Sequence, residues 1–222
     1  MMTMIKLPDF TKSFEHENNF YLSCNSSRIG KTLAHYELFK IANNLPGAII
    51  ECGVFKGASL CRFSMLRELF GNSFSKKIIG FDAFGKFPIT KYQHDIKHRK
   101  RFIDTSGEEG ISKQQLIQVL KNKKINENVE LIKGDITKTV PRYLKLHPEL
   151  KISLLNLDAD VYEPSVTILD NLYPRIVKGG ILILDDYGTF PGETKAVDEY
   201  FKDKNIEIKK FSFAATPSFI IK

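Results

Sequence analysis

The amino-acid sequence predicts an α/β fold in which a seven-stranded, mostly parallel β-sheet carries helices on both faces and closes with an antiparallel strand. Near-continuous apolar runs of five or six residues recur along the chain, and such runs are typical of strands buried on both faces. The segments between them are long enough for crossover helices, which favours parallel neighbours. The runs of the parallel part also end in acidic residues, as in sheets that bind a ligand at the carboxyl ends of their strands.

The predicted elements form a single domain over residues 1–222. Residues 1–45 comprise an N-terminal extension and a helix over 27–43, which ends before Pro46 and Gly47. The predicted strands cover 48–51, 77–82, Val129–Lys133, Ile152–Leu157 and 180–184, with a hairpin-like pair at 206–211 and Ser218–Ile221, and the further helices cover 59–70, 112–123 and 195–203.

Two pairs of acids follow neighbouring strands of the predicted sheet. Asp158 and Asp160 come after one apolar run, and Asp185 and Asp186 come after the next. Parallel neighbours bring these four carboxylates to the same edge, where they repel one another unless protons or a cation compensate their charge. Oxygen ligands suit a hard divalent cation, so we predict a Mg²⁺ site. An Asp after a strand can also be a helix N-cap or a turn residue, and Asp160 has this alternative role before a helix at Glu163.

Acids at four strand ends predict a second ligand. Glu51, Asp82, Asp135 and Asp158 each end or follow a strand, which suits a polyhydroxylated, adenosine-like molecule laid across the sheet edge. Gly53 permits a tight turn and close approach of the backbone to this ligand. Asp82 lies further along the chain than a minimal dinucleotide fingerprint requires, so NAD is not the best fit.

A partial phosphate-binding motif offers a different interpretation. Gly30, Lys31 and Thr32 match the end of a P-loop, but Asn25 stands where the motif has its first glycine. The helical apolar stripe also begins before Gly30, so we interpret the match as coincidental.

Charge and cysteine content limit the function classes. Lysine and arginine (33) exceed aspartate and glutamate (26) and give a formal net charge of +7, but the densest basic run is only 97–101. This distribution argues against a nucleic-acid-binding arm. Cys24, Cys52 and Cys61 lack the spacing of a zinc site, which predicts free thiols in a reducing compartment. The apolar runs are shorter than a membrane span, so we expect a cytoplasmic protein with no membrane partner.

A long excursion separates the second and third strands. Residues 84–112 lie at the predicted ligand edge and are polar, basic and rich in turn residues. A substrate lid and a solvated loop both fit this composition, and the sequence leaves the two open.

With these features in place, the chain resembles the macrocin O-methyltransferase family from about Ser27 to its C-terminus. The matching blocks are IIECGVFKGAS, FDAFGKFP, FIDTSGEEGIS, GDITKTVP, LNLDADVYEPS and LYPRIVKGGILILDDYGTFPGETKAVDEYF. The resemblance implies a class I methyltransferase, Rossmann-like fold, the cofactors S-adenosylmethionine and Mg²⁺, and methylation of a hydroxyl on a deoxysugar or nucleotide-linked sugar. It also implies a homo-oligomer. Departures at 85–87 and 105–107 lie in the lid and concern the acceptor.

The resemblance assigns roles to individual residues. It implies that the methionine part of the cofactor lies beside the first block, that acids bind the ribose and the adenine, and that three acids bind the metal. The implied set is Glu51, Gly53 and Ser59 for the methionine part, Asp82 for the ribose, Asp135 for the adenine, Asp158, Asp185 and Asp186 for the metal, with Asp158 also beside the cofactor, and Asp160 as the general base. A catechol-like acceptor, a nucleic-acid methyltransferase and a non-catalytic cofactor-binding protein are the alternatives.

Overall fold

The computed structural model of the protein describes residues 5–222, so residues 1–4 of the predicted extension lie outside the described part. The strands are β1 (Ala48–Cys52), β2 (Ile78–Asp82), β3 (Val129–Lys133), β4 (Ile152–Leu157), β5 (Ile176–Leu184), β6 (Lys209–Lys210) and β7 (Ser218–Ile221). The helices are α1 (Ser13–Ser23), α2 (Ser26–Asn43), α3 (Ala58–Phe70), α4 (Gln93–Ser106), α5 (Lys113–Asn122), α6 (Ile136–Leu146), α7 (Tyr162–Leu172) and α8 (Pro191–Phe201), and a 3₁₀ turn, Tyr173–Arg175, precedes β5.

The strands form one sheet with the order β3-β2-β1-β4-β5-β7-β6. Strands β1 to β5 pair in parallel, and β7 pairs antiparallel with both β5 and β6. The predicted fold class, a mostly parallel seven-stranded sheet with an antiparallel end, is therefore confirmed. Strand β6 is shorter than the predicted 206–211 because only Lys209 and Lys210 pair with β7. Helix α8 begins four residues earlier than predicted, since Pro191 suits the first turn of a helix.

Helices cover both faces of the sheet, which explains why β1 and β4 are buried along their whole length. Ile50 and Leu155 pack on one face with residues of α6, α7 and α8. Ile49 and Leu154 point to the opposite face and pack with α2, α3 and α5. This alternation follows from strand geometry and needs apolar side chains at nearly every position. The packing holds the carboxyl ends of the parallel strands at one edge.

The sequence does not predict helix α1, because its residues show no clear apolar periodicity. None of its residues is buried, and Phe14 and Leu22 are largely exposed. Helix α1 therefore contributes little to the core of the sheet. Among the helices of residues 5–222, none combines the length and the hydropathy that crossing a membrane requires.

The predicted lid, residues 84–112, contains helix α4 in its middle and is attached to the domain by Asp95. This side chain is fully buried. Its carboxylate accepts hydrogen bonds from the backbone N–H of Tyr162, at the start of α7 (2.9 Å), and from that of Gly192, at the start of α8 (2.7 Å). Because the first N–H groups of a helix have no partner within the helix, Asp95 caps two helices at once.

Further contacts strengthen this attachment. The Thr90 hydroxyl and the Lys91 backbone N–H both donate to the Glu163 carboxylate, at 3.0 and 2.7 Å. Gly192 is required at its position, because a Cβ there would lie 2.1 Å from a carboxylate oxygen of Asp95. The segment is thus helical and tied to α7 and α8, while its role as a substrate lid stays a prediction.

We expect Asp95→Ala to lower the free energy of unfolding by about 2 kcal/mol or more, because two backbone N–H groups lose their acceptor. Urea unfolding followed by circular dichroism measures the change. Asp95→Asn keeps one acceptor oxygen and should lose less stability. Equal stabilities of Asp95→Ala and the wild type would contradict the double cap.

Candidate functional site

The carboxyl ends of the parallel strands border a cavity of about 800 Å³. Its wall includes Gly53 after β1, Asp82 at the end of β2, Asp135 after β3, and Asp158 and Asp160 after β4. The structure therefore brings three of the four acids predicted to face an adenosine-like ligand to one cavity. A site at this edge agrees with the general position of ligands in open α/β sheets.

Gly53 lets the ends of β1 and β4 approach closely. Its backbone has φ +97°, and a Cβ at this position would lie 1.6 Å from the carbonyl oxygen of Asp158. Only glycine adopts this conformation without strain and leaves room for that carbonyl. The predicted tight turn is present, and it places Asp158 beside the loop that follows β1.

Asp82 organises the loop after β1 from the end of the neighbouring strand. Its carboxylate accepts hydrogen bonds from the backbone N–H groups of Val54 (2.8 Å) and Phe55 (3.0 Å), and a third from Phe84. Burial raises the pKa of Asp82, and these hydrogen bonds oppose that rise because they stabilise the charged form. A carboxylate has about four acceptor positions, so capacity remains for a ligand hydroxyl.

Asp135 has a structural role beside the predicted one. Its carboxylate caps helix α6 by accepting from the backbone N–H of Thr137 at 2.9 Å. Partial burial would raise the pKa of Asp135, but the hydrogen bonds from Thr137 and the nearby Lys138 lower it. The side chain lies in the wall of the cavity and is half exposed, so the cap leaves it accessible to a ligand.

The structure places Glu51 and Ser59 outside the wall of this cavity. Glu51 is buried and accepts a hydrogen bond from the side-chain amide of Asn156 at 3.1 Å. Its other carboxylate oxygen has no hydrogen-bond partner among the described residues, and burial raises the pKa of Glu51 to about 8. Ser59 lines a second cavity of about 450 Å³ between α2 and α3.

Three carboxylates meet beside the main cavity. Oxygen atoms of Asp158, Asp160 and Asp186 all lie within 4.8 Å of one another. Burial, followed by repulsion from neighbouring carboxylates, raises the pKa of each of them. Closely spaced oxygen donors of this kind fit a hard divalent cation, whose charge would offset the repulsion.

Asp160 reaches this group through an unusual backbone conformation. Its φ is +60°, a region that residues other than glycine seldom occupy, and such strain is often found at functional sites. The alternative role of Asp160 as a helix cap is not observed. Val161 is the N-cap of α7, without a side-chain hydrogen bond, and Asp95 supplies the acceptor for that helix.

Asp185, a predicted metal ligand, is not a member of this group of three but carries a charge close enough to repel Asp158 and Asp186. It is buried and forms an ion pair with Lys31 of α2, and its second oxygen lies 3.8 Å from Nε2 of His35. Burial would raise the pKa of Asp185, but His35 and Lys31 hold it below its usual value. The predicted ligands Asp158 and Asp186 thus lie in the observed cluster together with Asp160, while the role of Asp185 as a metal ligand stays a prediction.

Sequence reasoning missed two contributors to this region. Glu193 of α8 is fully buried and accepts a hydrogen bond from the backbone N–H of Asp186 at 2.9 Å, but it precedes the helix predicted over 195–203. The sequence indicates no role for Lys31 apart from the partial P-loop motif. Helix α2 runs through Gly30, Lys31 and Thr32, which confirms that the match is coincidental.

The chain is similar in sequence to known proteins. The family model for macrocin-O-methyltransferase (TylF) matches residues 27–215. Demethyldecarbamoylnovobiocin O-methyltransferase of Streptomyces niveus is 30% identical over 167 residues, which are 72% of this chain and 60% of that protein. The 8-demethyl-8-(2,3-dimethoxy-alpha-L-rhamnosyl)-tetracenomycin-C 4'-O-methyltransferase of Streptomyces olivaceus is 25% identical over 149 residues, 66% of this chain and 55% of that protein. The chain thus spans less than two thirds of the length of these curated relatives.

The fold is also similar to solved structures. The crystal structure of CalS11, a calicheamicin methyltransferase, has a TM-score of 0.75 at 25% identity and covers 96% of this chain and 88% of that one. An apo structure of CalS11, there described as a TDP-rhamnose 3'-O-methyltransferase, has a TM-score of 0.68 at 25% identity, with 96% and 89% covered. The predicted class I methyltransferase fold is therefore confirmed.

Ionisation of Glu51 should make the stability of the protein depend on pH. Its pKa rises from 4.5 to about 8 on burial, so between these values the folded chain retains a proton that the unfolded chain has lost. The stabilisation is complete below pH 4.5 and falls, by at most about 1.4 kcal/mol per pH unit, as the pH rises towards 8. Glu51→Gln stays neutral and should escape this loss.

Thermal unfolding of both proteins at pH 5 and pH 8, without added metal or cofactor, measures the effect. The difference between the melting temperature of Glu51→Gln and that of the wild type should increase from pH 5 to pH 8. A constant difference would show that Glu51 is already ionised in the fold.

Proposed function

This chain belongs to the macrocin-O-methyltransferase family, and on that premise we propose that it transfers the methyl group of S-adenosylmethionine to a sugar hydroxyl in a reaction that depends on a divalent cation. The observation that carries the proposal is the group formed by Asp158, Asp160 and Asp186 in and beside the cavity at the strand ends. The names of the relatives support a sugar acceptor, since one acts on a rhamnosyl group and CalS11 on TDP-rhamnose.

The cofactor would lie across the ends of β1 to β4. Asp82 would accept hydrogen bonds from the ribose hydroxyls, and Asp135 would lie beside the adenine. The methionine part would pass Gly53, where the absence of a side chain lets a ligand approach the backbone. Glu51 and Ser59 would lie behind the part of the cavity wall that faces the methionine part of the cofactor. Glu51 would hold Asn156 in place through their hydrogen bond.

Asp158 and Asp186 would hold the cation, because both the resemblance to the family and the observed cluster include them. Asp160 is the third member of the cluster while Asp185 is paired with Lys31. A divalent cation bound there would supply Lewis acidity, which lowers the pKa of an adjacent hydroxyl. The participation of Asp185, which the family resemblance implies, remains part of the proposal and requires Lys31 to release it.

Asp160 would act as the general base. Its carboxylate would accept the proton of the acceptor hydroxyl, whose oxygen would then take the methyl group. The cofactor would supply the methyl group from its sulfonium, and S-adenosylhomocysteine, a neutral thioether, would be the leaving group. Because a cation and a developing anion neutralise each other, a site that excludes water from the pair supplies part of the rate enhancement.

Residues of the predicted lid would contact the acceptor. Phe87, Pro88 and Ile89 contribute apolar surface to the cavity wall, and Lys91 contributes a positive charge. An apolar wall can hold the carbon face of a deoxysugar, and a lysine near it can contact a phosphate of a nucleotide-linked sugar. We therefore propose that this side of the cavity determines which sugar is accepted.

Asp160→Asn should reduce turnover about 100-fold or more, because general base catalysis is lost while cofactor contacts remain. The assay measures S-adenosylhomocysteine formed from S-adenosylmethionine, Mg²⁺ and TDP-rhamnose or a rhamnoside. Calorimetric titration with S-adenosylhomocysteine should give nearly the wild-type affinity. Asp170→Asn, at an exposed position of α7, is the matched control and should retain activity. Loss of cofactor affinity in Asp160→Asn would contradict its assignment as the base.

Asp186→Asn should weaken Mg²⁺ binding about tenfold or more, since the substitution removes one charged oxygen donor from the cluster. Calorimetric titration with Mg²⁺ or Mn²⁺ measures this directly and needs no acceptor. Absence of metal binding to the wild type would refute the metal-dependent part of the proposal and leave the cofactor-binding part to be judged separately.

A further inference from the structure

Lys31 is the cation closest to the acids at the end of β5. It lies on α2, and its ammonium group contacts a carboxylate oxygen of Asp185 at 2.5 Å. The side chain of Asp185 is 4% exposed and that of Lys31 is 22% exposed. The ion pair joins residues that are 154 positions apart in the chain, so the fold and not local sequence creates it.

Asp185 depends on this partner for its compensation. Its other oxygen has no hydrogen-bond partner among the described residues, and the nearest imidazole nitrogen, Nε2 of His35, is 3.8 Å away. Nδ1 of His35 lies 2.9 Å from the guanidinium of Arg62, and burial lowers the pKa of His35, which favours the neutral ring. A buried carboxylate without a paired charge is unfavourable, so removal of Lys31 would leave Asp185 in need of another cation.

We propose that Lys31 is an internal counter-ion that competes with a divalent cation for Asp185 and thereby sets the metal affinity of the site. The inference rests on the metal-dependent function proposed above. Asp185 directly precedes Asp186, which belongs to the cluster with Asp158 and Asp160. A divalent cation that engages Asp185 together with this cluster must displace the Lys31 ammonium, since positive charges at such short range repel each other.

The structure offers a place for the displaced side chain. Lys31 also lines the second cavity, the space of about 450 Å³ between α2 and α3. Its flexible four-carbon stem allows the ammonium to turn from Asp185 towards this space, where water can solvate it. Arg28 and Arg62 line the same cavity. Their positive charges disfavour the displaced position, so Lys31 stays with Asp185 until another cation replaces it.

Release of Asp185 would also change the role of Asp160. While Lys31 holds Asp185, the third oxygen donor near Asp158 and Asp186 is Asp160. Once Asp185 is free to bind the cation, Asp160 is no longer needed as a ligand and can accept the proton of the acceptor. Lys31 is therefore a positioning residue that acts through Asp185 and does not touch the reacting atoms.

The test compares Mg²⁺ and Mn²⁺ binding to the full chain by calorimetry, without S-adenosylmethionine. Lys31→Met should bind either metal about tenfold more tightly than the wild type, because the competing charge is gone. Lys31→Arg keeps the charge and should stay close to the wild type. Lys40→Met removes an exposed lysine from the same helix, one that forms an ion pair with Glu37, and should have no effect. Lys31→Gln, with the same expectation, replaces Lys31→Met if that variant does not fold.

The outcomes are distinguishable. Equal metal affinities of the wild type, Lys31→Met and Lys31→Gln would overturn the competition while leaving the metal site intact, and weaker binding in the variants would show that Lys31 supports the site. Absence of metal binding in every protein would overturn the metal-dependent function and this inference together.

Discussion

Repulsion between neighbouring carboxylates is the constraint on which the carboxyl edge of this sheet depends. Strands β4 and β5 deliver Asp158, Asp160, Asp185 and Asp186 to neighbouring positions, and the burial of Asp160 and Asp185 makes their negative charges costly. The surrounding fold meets this cost in two ways. Part of the charge is compensated by Lys31 from α2, and the remainder is concentrated where oxygen atoms lie within 4.8 Å and a small cation can bind them.

The backbone contributes as much to the site as the acids do. Gly53 has a positive φ and no side chain, which lets the turn after β1 lie against the carbonyl of Asp158. Asp160 also has a positive φ, and its own carbonyl accepts a hydrogen bond from the backbone N–H of Glu193 at 3.1 Å. Conformations of this kind persist only where the surrounding packing fixes them. The buried sheet and the start of α8 provide that packing.

The sequence predicts the features that depend on short segments and fails for those that depend on distant ones. Apolar runs such as Ile152–Leu157 locate the buried strands because five or six consecutive apolar residues suit few other environments. The acids at the strand ends can be predicted too, because each of them ends or directly follows such a run. The orientation of Asp185 towards Lys31, and the capping of two helices by Asp95, join residues 67 to 154 positions apart, and no local pattern encodes such contacts. Helix α4 is missed because Asp95 is its one buried residue.

The double cap of Asp95 has a consequence for how the acceptor preference proposed above could change. Tyr162 follows Asp160 by two positions, and Gly192 directly precedes Glu193, so the Asp95 carboxylate holds together the loops that carry Asp160 and Glu193. The cavity-facing residues 85–89 precede Asp95 in the chain, and of these Phe87 packs against Val161 and Phe190, next to the two capped helices. In the function proposed above, protein engineering could therefore change the acceptor by substituting cavity residues such as Ile89, which is 87% exposed, while Asp95 and Phe87 keep the position of Asp160.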